Sequence, residues 1–374
     1  MSYSIHRRAW LRQSSLALAG LTFAGKLTAS ENNNAFYRGW KTPADGPIRL
    51  TSNENPYGPS PLARKAMADA IVASNRYPWD TTTILREQLG SRAGLTREHV
   101  LMGAGSSEIL GLVAQHAALN KGNAIAADPT FQIWIPSAQK LGLEIIRVPL
   151  TADKKHDLSS MLSRLNNSTR LMYVCNPNNP TGTLLPASDV QRFIEEVSKK
   201  CMVLLDEAYI EYCDQQSLAP MVANNKNIVV AKTFSKIYGL AGARIGYALA
   251  HPETIGQLAG LQPWQNAGAS AVSLAGAIAS LQDKDFVSSS KELNSKAGAF
   301  AARELKSLGC ECIPSVTNFL YYSTKSIKGN WQELLRAKNI LTGRVVEENG
   351  KWTRTTIGSM PEMEQFINAV KQIV

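Results

Sequence analysis

Residues that bind metals or form cross-links are scarce, with five histidines and five cysteines in 374 residues. The cysteines, at positions 175, 201, 213, 310 and 312, show no metal-ligand spacing and no disulfide framework. They read as small buried apolar residues, and no metal is expected. Blocks of like charge are missing too. The net charge is +10, but Arg7, Arg8, Arg12 and Lys26 all precede the first acid, Glu31, and without them +6 remains, scattered among acids. Nucleic acid is therefore excluded as an expected partner. Long apolar runs are absent as well: residues 16–25 are apolar but short and rich in Ala and Gly, a poor membrane anchor. What is present is ordinary globular composition, 44% hydrophobic and 19% charged, with enough chain for one large and one smaller domain.

The first thirty residues have the layout of an export signal. His6-Arg7-Arg8-Ala9-Trp10-Leu11-Arg12 precedes the short apolar run, and small residues follow at Thr28-Ala-Ser30. The arginine pair with an aromatic and a leucine close behind resembles a twin-arginine signal. A periplasmic or otherwise exported location is expected, with the mature chain starting near Glu31 and no stable membrane anchor once the signal is removed. The alternative is a basic disordered arm on a cytoplasmic protein.

From Val100 onward, short apolar strands alternate with amphipathic helices. Strands are predicted near 100–102, 124–127, 144–148, 171–174, 202–205, 228–231 and 245–250, with helices near 106–119, 130–141, 157–165 and 187–199. This is an α/β pattern: a mainly parallel central sheet with helices on both faces and a ligand at the carboxyl ends of the strands. Past about residue 265 the pattern changes to a long Ala/Ser-rich helical region, then strands near 316–323 and 353–357 and a last helix from Pro361. A smaller α+β domain is expected over 265–374, beside a large domain over 76–264.

The residues with chemical promise fall at the predicted strand ends. Gly103-Ala-Gly105-Ser106-Ser107 between a strand and a helix offers free N–H groups and two hydroxyls to an anion. Phe131, in Asp128-Pro-Thr-Phe131, suits the face of a flat heteroaromatic ring, and Asn179, in Asn178-Asn179-Pro-Thr-Gly182, suits a hydrogen bond into the same place. Asp206 closes an apolar strand, where a carboxylate needs a cation such as a protonated pyridine nitrogen. Tyr209 follows three residues later. Thr233-Phe-Ser235-Lys236 sets a lysine after hydroxyls and is followed by a glycine-rich loop and Arg244. A lysine for a carbonyl, with hydroxyls and an arginine for a phosphate, is what pyridoxal 5'-phosphate requires.

In this order, Asn53-Glu-Asn-Pro-Tyr57-Gly-Pro, Arg76-Tyr77-Pro, the Gly103 loop, Asn178-Asn-Pro-Thr-Gly, Asp206-Glu-Ala-Tyr209, the Lys236–Arg244 stretch and Arg354-Thr-Thr-Ile-Gly resemble the fold-type-I pyridoxal phosphate aminotransferases (class I/II), in their histidinol-phosphate aminotransferase-like branch. The resemblance runs from about Leu50 to the C-terminus. It implies catalytic roles for Lys236, as the Schiff-base lysine and proton carrier, and for Asp206 and Tyr209. The phosphate would be held by Gly105, Ser106, Ser107, Thr233, Ser235 and Arg244, and the ring by Phe131, Asp206, Asn179 and Tyr209. Substrate would meet Arg354, whose planar fork suits an α-carboxylate, together with Asn179, Arg344 and Tyr57. Tyr77 would reach a neighbouring subunit's phosphate, so a homodimer is implied. Residues 31–75 would join the small domain. Where the family carries an acidic pair after the loop's Gly-Ala, this chain has Ser106-Ser107. The implied reaction moves an amino group between an amino acid, or a histidinol phosphate-like amine, and a 2-oxo acid. A β-lyase or decarboxylase on the same fold is the alternative; Arg354 favours transamination over decarboxylation.

Overall fold

Seven apolar strands dominate the computed structural model, which describes residues 46–324, 329–343, 345–347 and 351–374. The expected signal over 1–30, almost all of the 31–47 stretch and Arg344 lie outside the described residues. The chain divides at Pro47, and the unit described is Ile48–Val374.

The seven strands are β2 (Val100–Gly103), β3 (Gly122–Asp128), β4 (Leu143–Pro149), β5 (Thr169–Cys175), β6 (Met202–Asp206), β7 (Ile228–Thr233) and β8 (Gly246–Ala250), after a short β1 (Ile48–Leu50). Their order across the sheet is β2-β8-β7-β6-β5-β3-β4. Only β8 runs antiparallel to its neighbours, β2 and β7; the other pairs are parallel. The fold is thus the mainly parallel α/β sheet expected. Burial on both faces explains the near-continuous apolar strands. The pleat sends alternate residues into two separate cores: Met172, Val174, Val203, Leu205, Ile228 and Val230 into one, Leu171, Tyr173, Leu204, Val229 and Ala231 into the other. Helix Ala187–Val197 covers the first face with Val190, Phe193, Ile194 and Val197, a single helical stripe. Chain order breaks at β3, with β4 on one side and β5 on the other, which opens a crevice at the strand ends.

The expected helix over 130–141 is shorter, Ile135–Lys140. The Thr130 hydroxyl donates to Asn178 Oδ1 (2.8 Å) and the Gln132 amide to Asp128 Oδ1 (2.9 Å), so residues 129–134 stay a loop that carries Phe131. Local side-chain bonds here outcompete the helix.

After β8 come helices Pro252–Ala259, Ala271–Gln282 and Lys284–Ser307. Leu274, Ala277 and Leu281 of the second enter the first core of the large sheet. Strands β9 (Cys312–Ile313), β10 (Phe319–Ser323), β12 (Val345–Glu347) and β13 (Trp352–Thr356) form an antiparallel sheet in the order β12-β13-β10-β9. The N-terminal β1 pairs in parallel with β11 (Ile340–Thr342), and Leu50 joins a third core with Leu305, Tyr322, Trp331 and Phe366. That pairing brings Thr51–Asn53 over the ends of the large sheet. No helix among the described residues is long and apolar enough to cross a membrane.

Candidate active site

A cavity of about 460 Å³ lies at the carboxyl ends of β5, β6 and β7. Its anion-binding end is built first by the chain around Gly105, whose φ of 79° starts helix Ser106–Ala118. A Cβ on Gly105 would stand 2.5 Å from Arg244 Nη2, so glycine is required for the guanidinium to close over the turn. Arg244 Nη2 donates to Ser107 Oγ (2.9 Å) and to the Ala104 carbonyl (3.0 Å). The Thr233 hydroxyl donates to Ser235 Oγ (2.9 Å) and accepts the Ser235 N–H (3.1 Å). Hydroxyls, a guanidinium and a helix N-terminus thus face one space, the arrangement a phosphate needs.

Asp206 sits deeper. It is 1% exposed, accepts from the Tyr173 hydroxyl (2.9 Å) and the Ala208 N–H (3.1 Å), and burial raises its pKa to about 6 against the pull of those two donors. No ion pair involves it among the described residues. Such a carboxylate fits a cationic ring nitrogen, which would return it to the charged form.

Lys236 lies half-buried on the other side of the cavity. Its Nζ donates to the Ser52 carbonyl (3.2 Å) and stands 5.6 Å from the Tyr209 ring centre. Burial, reinforced by the Arg354 charge, lowers its pKa to about 8. The loop that carries it is held against the Asn53–Pro59 segment: Asn55 Nδ2 donates to the Ile237 carbonyl (2.8 Å), and Gly239 passes so near Gly58 that a Cβ would meet its carbonyl oxygen at 2.1 Å.

The remaining groups form one connected chain. Arg354 Nη1 donates to Asn179 Oδ1 (2.7 Å) and Nη2 to the Thr51 carbonyl (2.8 Å), while its buried Nε has no partner among the described residues. Asn179 Nδ2 and Asn53 Nδ2 both donate to the Tyr209 hydroxyl, at 3.4 and 2.9 Å. Phe131 lines this cavity and also a larger outer chamber of about 1100 Å³, which shares Thr51, Ser52, Asn179 and Arg354 with it.

Of the residues singled out from sequence, Ser106, Ser107, Phe131, Asn179, Asp206, Tyr209, Thr233, Ser235, Lys236, Arg244 and Arg354 line this one cavity, and Gly105 forms its turn. Two lie elsewhere. Tyr77 is 67% exposed and packs on Trp79 and Trp264, with ring centres 5.6 and 4.9 Å away. Tyr57 is outside the cavity lining, its backbone N–H bonded to Asn55 Oδ1 (3.1 Å). Three contributors had no role assigned from sequence. Asn53, at φ 55°, holds Tyr209. Tyr173 holds Asp206, and a lone hydroxyl in the apolar strand Leu-Met-Tyr-Val-Cys was its only signal. Glu108 ties down the phosphate turn, accepting from the Ala104 N–H (2.6 Å) and Gln262 Nε2 (2.9 Å).

Residues 45–370 match the family model described as aminotransferase class I and II. The chain belongs to this family. It is a pyridoxal phosphate-dependent aminotransferase. The histidinol-phosphate aminotransferase of Moorella thermoacetica is 36% identical over 333 residues, 87% of this chain and 85% of that protein. The crystal structure of histidinol-phosphate aminotransferase from Sinorhizobium meliloti in complex with pyridoxal-5'-phosphate superposes with a TM-score of 0.77 at 26% identity, over 87% of this chain and 90% of the other. The fold alone is shared with L-threonine-O-3-phosphate decarboxylase from Porphyromonas gingivalis (TM-score 0.74, 21% identity, 87% and 98% covered). Backbone shape therefore leaves the reaction to the side chains.

Proposed function

We propose that this aminotransferase takes its amino group from an α-amino acid, or from a histidinol phosphate-like amine of the kind its relatives' name denotes, and passes it to a 2-oxo acid. The observation that carries the proposal is Arg354: a forked cation in the Lys236 cavity, with an unpartnered Nε, beside an outer chamber with room for the rest of a substrate. A carboxylate docked on that fork presents the α-carbon toward Lys236.

In this reading Ser106, Ser107, Thr233, Ser235 and Arg244 hold the cofactor phosphate, Phe131 covers the ring, and Asn179 and Tyr209 reach its phenolic oxygen. Asp206 keeps the ring nitrogen protonated. When bound, pyridoxal phosphate supplies an electron sink for the bonds at the substrate α-carbon. Lys236 Nζ, in the same cavity as Arg354, would be the group that takes up and releases the proton exchanged at that carbon. The Tyr209 ring and the Ser52 carbonyl flank the Lys236 amine.

The decisive test is a panel of amino acids and amines mixed with the holoenzyme, with loss of the cofactor's visible band recorded for each. Arg354→Ala should lower kcat/KM about 100-fold or more for donors bearing an α-carboxylate, a loss of ~3 kcal/mol. An unchanged value would refute the assigned role.

Homodimer assembly rests on the exposed Tyr77–Trp79–Trp264 cluster, an apolar surface that a second copy would cover; a monomeric mass in sedimentation would refute it. The third core, which Leu50 joins from the N-terminal side, is proposed as the small domain beside the cofactor sheet. Export rests on Arg7 and Arg8 ahead of the apolar run; replacing both by Lys should retain the precursor in the cytoplasm, and unchanged fractionation would rule out the twin-arginine route.

A further inference from the structure

A second cavity, of about 450 Å³, lies against β7 and β8, on the face of β7 opposite Thr233. Its floor is Lys232, with Tyr247 and Leu249 on the neighbouring strand, all on the side of the pleat away from Thr233. Helix Trp79–Arg92 contributes Leu89 and Arg92, and Glu211, Ser217 and Tyr238 complete the wall.

The polar groups here are arranged for a ligand with two different ends. Lys232 is already neutralised: its Nζ lies 2.9 Å from Glu211 Oε1 and 3.5 Å from Glu207 Oε2. Glu207 is satisfied as well, by the Ser217 hydroxyl and the Leu218 N–H (2.9 Å). An anion therefore finds no free cation at depth. What is free at depth is acceptor capacity. Glu211 Oε2 has no protein donor among the described residues, and the hydroxyls of Tyr247 and Tyr238 make no hydrogen bond to any of them. Tyr247 is only 9% exposed and lines the cavity, so its hydroxyl is a polar group that opens onto this space and is available to a ligand there. The free cation is at the mouth: exposed Arg92 donates one nitrogen to the Leu281 carbonyl and has Nε and Nη1 to spare. Tyr238 feels the charges of Glu211, Lys232 and Arg92, so both ends surround one ring. Leu89, Leu249 and Leu281 supply apolar wall.

From this we infer a second binding site, separate from the catalytic one, for a small zwitterion of the amino-acid class with an apolar body. Its ammonium meets Glu211 and the phenols, its carboxylate meets Arg92, and its side chain meets the leucines.

The test uses Arg354→Ala holoenzyme, whose catalytic cavity has lost its carboxylate grip, with L-leucine titrated calorimetrically. One leucine per chain is expected to bind. Glu211→Gln should weaken it about tenfold or more and Tyr247→Phe about fivefold, the range for a buried charge-assisted and a neutral hydrogen bond. Gln216→Trp, an exposed change at the mouth that leaves the buried ion cluster intact, should abolish it. Leucinol, lacking the carboxylate, and 4-methylpentanoate, lacking the amine, should each bind at least about tenfold more weakly than leucine. Absence of leucine binding to Arg354→Ala, equal affinity in the cavity variants, or an analogue binding as tightly as leucine would each overturn the inference. None of these readouts requires amino transfer.

Discussion

Lys232 and Lys236 are four residues apart on one stretch of chain and live in opposite electrostatic worlds. Burial opposes the charge on Lys232, yet Glu211 and Glu207 outweigh it and hold the ammonium well above its usual range. Burial opposes the charge on Lys236 as well, and Arg354 and, more weakly, Arg244 add to it; the carboxylates of Glu54 and Asp206, neither bonded to it, offset only part of this, and among the described residues its one hydrogen bond is to the Ser52 carbonyl. The pKa falls to about 8. Burial alone therefore does not make a lysine reactive. What separates the two is the withholding of a bonded carboxylate from one and the provision of two to the other. The pleat arranges this, because it turns Lys232 to the face carrying Glu207 and leaves Thr233, Ser235 and Lys236 to the cofactor cavity.

The comparison is broken most severely at Lys236. Lys236→Ala should reduce turnover on the order of 10⁴-fold or more while thermal stability of the apoprotein holds or rises, since a half-buried amine whose charge is disfavoured and has no bonded carboxylate is removed. Turnover assays with purified holoenzyme and a thermal melt of the apoprotein give both readings. Lys232→Met should show the reverse pattern. It leaves Glu207 and Glu211 facing each other without their cation and should cost about 3–5 kcal/mol of stability in denaturant titrations at neutral pH. Turnover per folded molecule should change by less than about threefold, a shift within ~0.7 kcal/mol. The smallest and most diagnostic effect is in pH. Only the neutral amine attacks a carbonyl, and the lowered pKa of Lys236 means this form grows as pH rises through about 8. The rate at which apoprotein captures added pyridoxal phosphate should climb between pH 7 and 9 and level off above, on the scale of about one to two units around that pKa. A climb that continues past pH 10 would show that Lys236 is not depressed.

Much of this site was legible in the sequence because its residues sit at strand ends. Alternating apolar strands predict a sheet, a sheet predicts where its carboxyl edge lies, and Asp206 ends a strand while Ser106, Asn179 and Lys236 each follow one at the same edge. Side chains whose role depends on register were harder to read. Tyr173 looks like any core residue of β5, and only the pairing of β5 with β6 shows that its hydroxyl meets Asp206. Glu207 and Lys232 were invisible as partners for the same reason, since nothing local says which face of a strand end they take. Asn53 depended on a contact across the fold, its N–H bonding to Thr356 Oγ1 at 2.8 Å. The outward-facing Tyr77 stacks on nearby Trp79 and meets Trp264, far along the chain, at a tilt, a contact that no local signal shows. The shortened helix at Ile135 illustrates the opposite failure, in which local propensity was right about helix and wrong about how much of it the Thr130–Asn178 bond would permit.

The bond from Arg354 to the Thr51 carbonyl, and that from the Asn53 N–H to Thr356 Oγ1, each span 303 residues. The wall facing Lys236 is therefore written at both extremes of the folded unit, while the groups proposed to hold the cofactor phosphate come from its middle. A growing chain can complete the sheet and its phosphate turn early, yet it gains a closed reaction chamber only when β13 is made and β1 has found β11. The enzyme's competence is thus conditional on finishing. Any fragment that stops short of Arg354 keeps the groups proposed to grip a phosphate and lacks the one proposed to orient a substrate.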